Sequence, residues 1–255
     1  MATYSITLGY DGAPFCGFAR QPGQLTVQGE LERALELLFR HPVDTVCAGR
    51  TDAGVHARAQ VVSFELQPEE LRDRTPESLV RSLNALTHDS IAVRQWQQRP
   101  DGFSARFDAN WREYRYFICG GATPPLFRAA TSWHVKAPLD VAAMERAAAY
   151  LTGEHDFKSF CLAASAEGKP TCRNVHSITF SRDVALGEGA LVITVAGNAF
   201  LHSMVRTIVG TLVMVGRHQR KPEWVSEVLE ARNRAAAGEN APAQGLVFWN
   251  VDYGA

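Results

Sequence analysis

No apolar run in this chain approaches the roughly 20 residues that a bilayer-spanning helix needs. The opening residues, Met1-Ala2-Thr3-Tyr4-Ser5, hold no basic segment followed by an apolar one. No secretory leader is therefore expected, and the cytoplasm is the default compartment. Cysteine is sparse: Cys16, Cys47, Cys119, Cys161 and Cys172 are odd in number, scattered, and never in a C-x-x-C pair. That argues against a disulfide framework or a zinc ribbon. The 8 histidines show neither H-x-x-x-H nor H-E-x-x-H spacing, so no metal is expected. There is no glycine-rich phosphate loop and no dinucleotide fingerprint. Net charge is −1, which argues against a protein that coats nucleic acid by bulk electrostatics.

What is present is an ordinary globular composition, 46% apolar and 21% charged over 255 residues. That is enough for one large domain or two smaller ones, each with its own core. Of the 26 basic residues 22 are arginine, whose planar fork suits phosphate and stacking contacts better than lysine does. A GC-rich coding sequence explains that bias equally well.

Residues 3–10 alternate, with Tyr4, Ile6 and Leu8 on one face, and read as a strand ending at Asp11-Gly12. Thr26 is placed to cap a helix carrying Val27, Leu31, Leu35 and Leu38 at helical spacing. Strands at 43–48 and 59–66 flank a short link. Thr75-Pro76 opens a second helix with Leu79, Leu83 and Leu86 on one side, and a strand begins at Ile91. This β-α-β-β-α-β order is ferredoxin-like. Its approximate repeat follows: strands at 112–119 and 131–135, a helix capped by Asp140 and stopped by Gly153, and strands at 173–183 and 190–197. Helices from Ser203 to Val215 and Pro222 to Leu229 precede a closing strand at 246–253. The segments 233–245 and 163–170 read as mobile loops. The expected fold is α+β: two ferredoxin-like halves, 1–108 and 109–255, in one extended, mostly antiparallel sheet with a cleft between them.

The link at 49–55 stands out. Gly49-Arg50-Thr51-Asp52-Ala53-Gly54-Val55-His56-Ala57, followed by Gln60-Val61-Val62-x-Phe64, packs Arg50, Thr51 and Asp52 between two glycines, with His56 just beyond the second. Alone, such a link is an ordinary hairpin turn with Asp52 bonding its own backbone. The full string, however, resembles the signature of the tRNA pseudouridine synthase A family. Arg112-x-Tyr114-x-Tyr116 is similar to the family's R-x-Y-x-Y strand. Phe200-Leu201-His202-Ser203-Met204-Val205-Arg206-x-Ile208-Val209-Gly210 is similar to its F-x-H-H-M-V-R-x-I-V-G, with Ser203 replacing a histidine. Tyr10-Asp11-Gly12, Thr26-Val27-Gln28, Phe103-Ser104-Ala105-Arg106-Phe107 and Asp156-Phe157-x-Ser159-Phe160 extend the match. Phe18-Ala19 and Thr87 depart from it.

The resemblance implies an isomerase acting on uridines 38, 39 and 40 in the anticodon stem-loop of tRNA. It also implies a cofactor-free site in the cleft and a homodimer. Asp52 would be the nucleophile and Tyr114 would stack on the flipped-out base. Arg206 would pair with Asp52, and Arg50 would fill the space the base leaves. His56 reads as a loop-stabilising residue, and Arg58 as a further RNA contact.

The chemistry suits this set. Breaking N1–C1′ and joining C5 to C1′ involves no redox change and no phosphoryl transfer, so one ionised carboxylate, attacking C1′ or C6, is enough. A guanidinium in a nearly all-apolar helix calls for a partner. A flipped base needs an aromatic face. Tyr114 and Tyr116 lie two apart on one strand face, so one of them is free to be core. Two other classes remain open to comparison. One is an RNA-binding module without catalysis, which the joint presence of Asp52, Tyr114 and Arg206 opposes. The other is an acid–base or phosphoryl-transfer enzyme, which needs more than the single carboxylate found in 45–62.

Overall fold

A computed structural model describes residues 1–162 and 167–254. The chain divides into two compact units, Met1–Asn110 with Phe248–Ala255, and Trp111–Val247. The returning C-terminal residues are tied into the first unit. Asn110 N–H donates to the Asp252 carbonyl (2.8 Å) and the Tyr253 hydroxyl donates to the Ala105 carbonyl (2.8 Å).

In the first unit β1 (Ala2–Tyr10) is the middle strand, antiparallel to β3 (His56–Leu66) on one side and β4 (Ile91–Gln98) on the other. The short β2 (Val46–Cys47) pairs with β3. Helix α1 (Val27–Phe39) begins where the Thr26 side chain accepts from Gly29 N–H, and it buries Val27, Leu31, Ala34, Leu35 and Phe39. Helix α3 (Pro76–Leu86) is capped in the same way by Thr75 and buries Leu79 and Leu83. A short α2 (Pro68–Leu71) precedes it, in a stretch without helical periodicity. The buried Glu32 of α1 is matched by Thr45 Oγ1 (2.9 Å), Gln28 Nε2 (3.0 Å) and Arg20 Nη1 (3.0 Å), as a buried carboxylate requires.

β1 differs from the alternating strand expected. Thr3 and Ser5 are as buried as Tyr4 and Ile6. The segment after β4 covers the polar face and spends its donors there: Gly102 N–H on Thr3 Oγ1 (3.0 Å), Arg99 Nε on Ser5 Oγ (2.9 Å), and Ala105 N–H on Ser63 Oγ of β3 (2.9 Å).

The second unit is built on β5 (Trp111–Gly120), β7 (Gly153–Asp156), β8 (Cys172–Ala185) and β9 (Glu188–Gly197), antiparallel in the order β5-β9-β8-β7. β6 (Trp133–Val135) pairs with β5 in parallel. Helix α4 (Val141–Ala149), capped by Asp140, packs on α5 (Met204–Gly216), and α6 (Trp224–Ala231) follows. Gly153 does not stop α4, which closes at Tyr150; it begins β7 instead. β10 (Leu246–Asp252) is the strand through which the chain returns to the first unit.

The segment 233–245 is held against α5. It forms 3-10 turns at Arg234–Ala236 and Ala243–Gly245, and Ala241 is buried. Of the other expected loop, 163–170, residues 163–166 lie outside the described residues and Glu167–Gly168–Lys169 form a turn and bend. Among the described residues no helix is long and apolar enough to cross a membrane.

Candidate functional site

The link between β2 and β3 is fastened along its length. Ala48 N–H donates to the Val61 carbonyl (2.9 Å), and the buried Gln60 amide donates to the Gly49 carbonyl (2.7 Å). Thr51 is tied by its hydroxyl to Tyr10 Oη (2.8 Å), while its carbonyl accepts from Phe18 N–H (3.0 Å). Burial pushes the Tyr10 phenol well above its ordinary pKa, with hydrogen bonds to Thr51 and Gln60 opposing, so it stays protonated. The Asp52 carbonyl accepts from Val55 N–H (3.1 Å), closing the turn. His56 is buried, and its Nδ1 accepts from Gly12 N–H (3.1 Å), with Asp11 Oδ1 also 3.1 Å away.

Gly12 has a steric reason to be glycine: a Cβ there would lie 2.1 Å from the Val55 carbonyl oxygen. Tyr10-Asp11-Gly12 and the 49–56 link are thus two halves of one local structure. Asp52 sits at its tip, half-exposed.

Arg50 is exposed just ahead of Asp52. Its charge, followed by that of Arg106, pulls down the Cys47 thiol, which burial has pushed up to about 11. Arg58 is exposed on β3 and lies over the Trp249 ring, 4.9 Å from its centroid. Trp249 under Arg58 was not anticipated, because the contact joins positions 191 residues apart in the sequence. The hydroxyl role of Tyr10 and the amide role of Gln60 were not anticipated either, although both stand within motifs already noted.

In the second unit Tyr114 is buried on β5 opposite Val195, with its ring edge-on to Phe200 at 5.1 Å. Tyr116 is fully buried; its hydroxyl donates to the Pro242 carbonyl (2.8 Å) and its ring packs edge-on to Trp133. Burial pushes the Tyr116 phenol up, and the charge of Arg206 opposes it. Tyr116 is thus the strand's structural tyrosine.

Arg206 is half-buried in the first turn of α5 and donates from Nε to the Ala241 carbonyl (2.8 Å), while its own carbonyl accepts from Ala241 N–H (3.1 Å). Ser203 caps α5 in a left-handed conformation (φ 60°) without a side-chain cap bond, and its carbonyl takes the Thr207 hydroxyl (3.1 Å).

The first unit therefore gathers Arg50, Asp52, His56 and Arg58 on one link and its following strand. The second holds Tyr114 and Arg206. Among the described residues no three His, Cys, Asp or Glu side chains form a metal-binding group. The arrangement in the first unit can present one carboxylate on a stiff loop beside exposed guanidinium groups, which suits nucleophilic attack on a polyanionic substrate.

Comparison with known proteins points the same way. A family profile described as tRNA pseudouridine synthase matches residues 7–108 and 147–254. A Brevibacillus brevis protein named tRNA pseudouridine synthase A is 44% identical over 253 residues, covering 99% of this chain and 100% of its own. Proteins of the same name from Bacillus subtilis and Thermosipho africanus are 41% and 42% identical. They cover 97% and 98% of this chain and 97% and 99% of their own.

Proposed function

The chain belongs to the tRNA pseudouridine synthase A family of isomerases, and we propose that it converts uridines 38, 39 and 40 of the tRNA anticodon stem-loop to pseudouridine with Asp52 as nucleophile. The observation that carries this reading is the Arg50–His56 string held by Tyr10, Gly12 and Gln60. A carboxylate on so constrained a loop loses little entropy when it meets a reacting carbon.

In the proposed reaction Asp52 attacks C1′ or C6 of the target nucleotide. The N1–C1′ bond breaks, the base turns, C5 joins C1′, and the bond to Asp52 breaks so that the carboxylate is released. C5 gives up a proton and N1 gains one, so atoms balance without an oxidant, a reductant or a second substrate. Tyr114 and Arg206 take the roles of their family positions, a face for the base and a cation serving the nucleophile. Arg50 takes the space the base leaves, His56 holds the loop, and Arg58, steadied by Trp249, meets backbone phosphate. The same reading makes the protein a cytoplasmic homodimer without a cofactor.

Incubation of the pure protein with unmodified tRNA transcripts, followed by mapping of pseudouridine, tests it. Conversion at 38, 39 or 40, at the same rate with and without EDTA, is the expected result. Conversion confined to other positions would overturn the assignment of the stem-loop, and loss with chelator followed by recovery with zinc would overturn the metal-free chemistry.

A further inference from the structure

The turn after β4 is fixed in its middle and bare at its tip. Ala105 is completely buried, its N–H on Ser63 Oγ (2.9 Å) and its carbonyl accepting from the Tyr253 hydroxyl (2.8 Å). Ser104 N–H donates to Asp108 Oδ2 (2.8 Å), and Asp108 N–H returns to the Ser104 carbonyl (3.1 Å). Phe103 packs edge-on to Tyr253 at 5.0 Å, with the Arg99 guanidinium 4.7 Å over its ring. Out of this frame projects Phe107, 78% exposed, with the Arg106 guanidinium 5.3 Å from its centroid.

A single exposed apolar residue ordinarily needs no explanation. This one sits on a turn whose backbone is hydrogen-bonded on both sides, so the ring is held in water rather than left there by a loose loop. It also lies near the proposed nucleophile's loop: Ala105 is bonded to Ser63, and Ser63 is the register partner of Val46 on β2, the strand that leads into the Asp52 link.

We propose that Phe107 and Arg106 form a binding site for an unpaired RNA nucleobase and its phosphate, flanking the uridine that reacts. The inference rests on the function proposed above and adds a subsite to it. One ring with one guanidinium matches one nucleotide: the ring gives the base a face to stack on, and the planar fork takes the phosphate. A single ring is too little for a protein partner, since a stable interface buries roughly 1,000 Å² or more. A nucleotide beside a flipped-out base has lost a stacking neighbour, so a fixed aromatic face there replaces what it lost.

The test compares Phe107→Ala, Phe107→Leu and Phe107→Tyr for affinity to an unmodified tRNA transcript and for sedimentation mass. Loss of stacking should weaken binding about tenfold in the alanine and leucine variants. The tyrosine variant should stay within about twofold of the parent, since it keeps the ring face. The sedimentation mass should not change. Arg106→Gln should lower the slope of log affinity against log salt by about 0.7, one single-strand phosphate contact.

Leucine binding as well as phenylalanine would overturn the stacking assignment, as would alanine binding like the parent. A fall in mass in the alanine and leucine variants would instead make this tip a contact between copies of the chain. If the parent protein converts no uridine in the transcripts, the functional reading fails. If it converts them and the variants bind unchanged, only this subsite fails.

Discussion

The link that carries Asp52 and the helix that carries Arg206 are both held by a second stretch of chain, but by different kinds of stretch. The link is held by strands. Tyr10 and Gly12 at the end of β1, and Gln60 on β3, reach it through a buried hydroxyl pair, a close backbone approach and a side-chain amide. Helix α5 is held by irregular chain. Ala241 meets Arg206 at both backbone and side chain, Asn240 Oδ1 accepts from Thr207 Oγ1 (2.6 Å), and Gly238 N–H donates to Thr211 Oγ1 (3.0 Å). A strand frame is cooperative with a whole sheet, whereas a pinned segment can come away while its helix stays folded. The first unit should therefore fail as a whole and the second locally.

The largest effect expected is on chemistry alone. Asp52→Asn keeps the shape of the link and removes the nucleophile, so pseudouridine formation should fall to background while tRNA affinity stays within a few-fold. Single-turnover assays against binding measurements separate the two. Appreciable turnover by this variant would remove Asp52 from its role and leave the link merely structural.

Two glycine substitutions set the frames against each other. In Gly12→Ala the new Cβ would fall 2.1 Å from the Val55 carbonyl oxygen, and in Gly210→Ala 1.8 Å from that of Glu239. Overpacking of this kind costs typically ~1–3 kcal/mol. Gly12→Ala meets the Val55 backbone in the turn that leads directly into β3, where Val55 N–H is bonded to the Asp52 carbonyl, so its cost should reach about 3 kcal/mol, seen as a Tm lowered by several degrees. Gly210→Ala can push the 238–241 segment away. Its signature should be faster hydrogen exchange at Gly238 and Ala241, with a smaller fall in Tm. Equal falls with no local exchange would break the distinction between the frames.

That distinction also separates what the sequence disclosed from what it did not. Thr26, Thr75 and Asp140 were readable as caps because capping is local: each side chain accepts from a backbone N–H three residues on. The β-α-β-β-α-β order and the Asp52 link were readable for the same reason, being periodicity or contiguous motif. Thr3 and Ser5 looked like the solvent face of β1, since nothing near them announces that Arg99, Gly102 and Ala105 would cover that face from almost a hundred residues away. Segment 233–245 looked loose on its glycine and alanine content, yet the hydroxyls of Thr207 and Thr211 and the Arg206 backbone give it partners. The sequence favours Tyr114 over Tyr116 for the site, but what holds Tyr116 in the core was not legible there, because the acceptor for its hydroxyl is the distant Pro242.

A smaller perturbation probes the strand frame directly. Tyr10→Phe removes one hydroxyl and leaves Thr51 Oγ1, in a buried residue, without the Tyr10 hydroxyl, which costs about 1–2 kcal/mol. Tyr10→Phe with Thr51→Val removes both ends of the bond. The double variant should then be less destabilised than the sum of the singles, measured by denaturant unfolding. Strict additivity would mean that the hydroxyl pair contributes nothing to holding the link.

The smallest effect belongs to a tie outside both frames. His41, just beyond α1, pairs through Nε2 with Glu70 of α2, and its Nδ1 faces the Pro42 carbonyl at 2.9 Å. The Pro42 carbonyl first, and then Glu70, hold the His41 pKa above its ordinary 6.5. For Glu70, burial acts upward but is outweighed by the Gln67 N–H and by His41, so its pKa lies below its ordinary 4.5. A raised histidine contributes stability that is complete below 6.5 and lost as pH rises through the folded value. A lowered carboxylate contributes stability present above 4.5 and lost as pH falls through its folded value. The two overlap between about 4.5 and 6.5, so His41→Ala should lower Tm most in that window and least near pH 8. Both side chains are solvent-accessible, and salt screens such pairs, so the difference should shrink further in high salt. A deficit that grows toward pH 8 would assign His41 a packing role and extend the strand frame out to the end of α1.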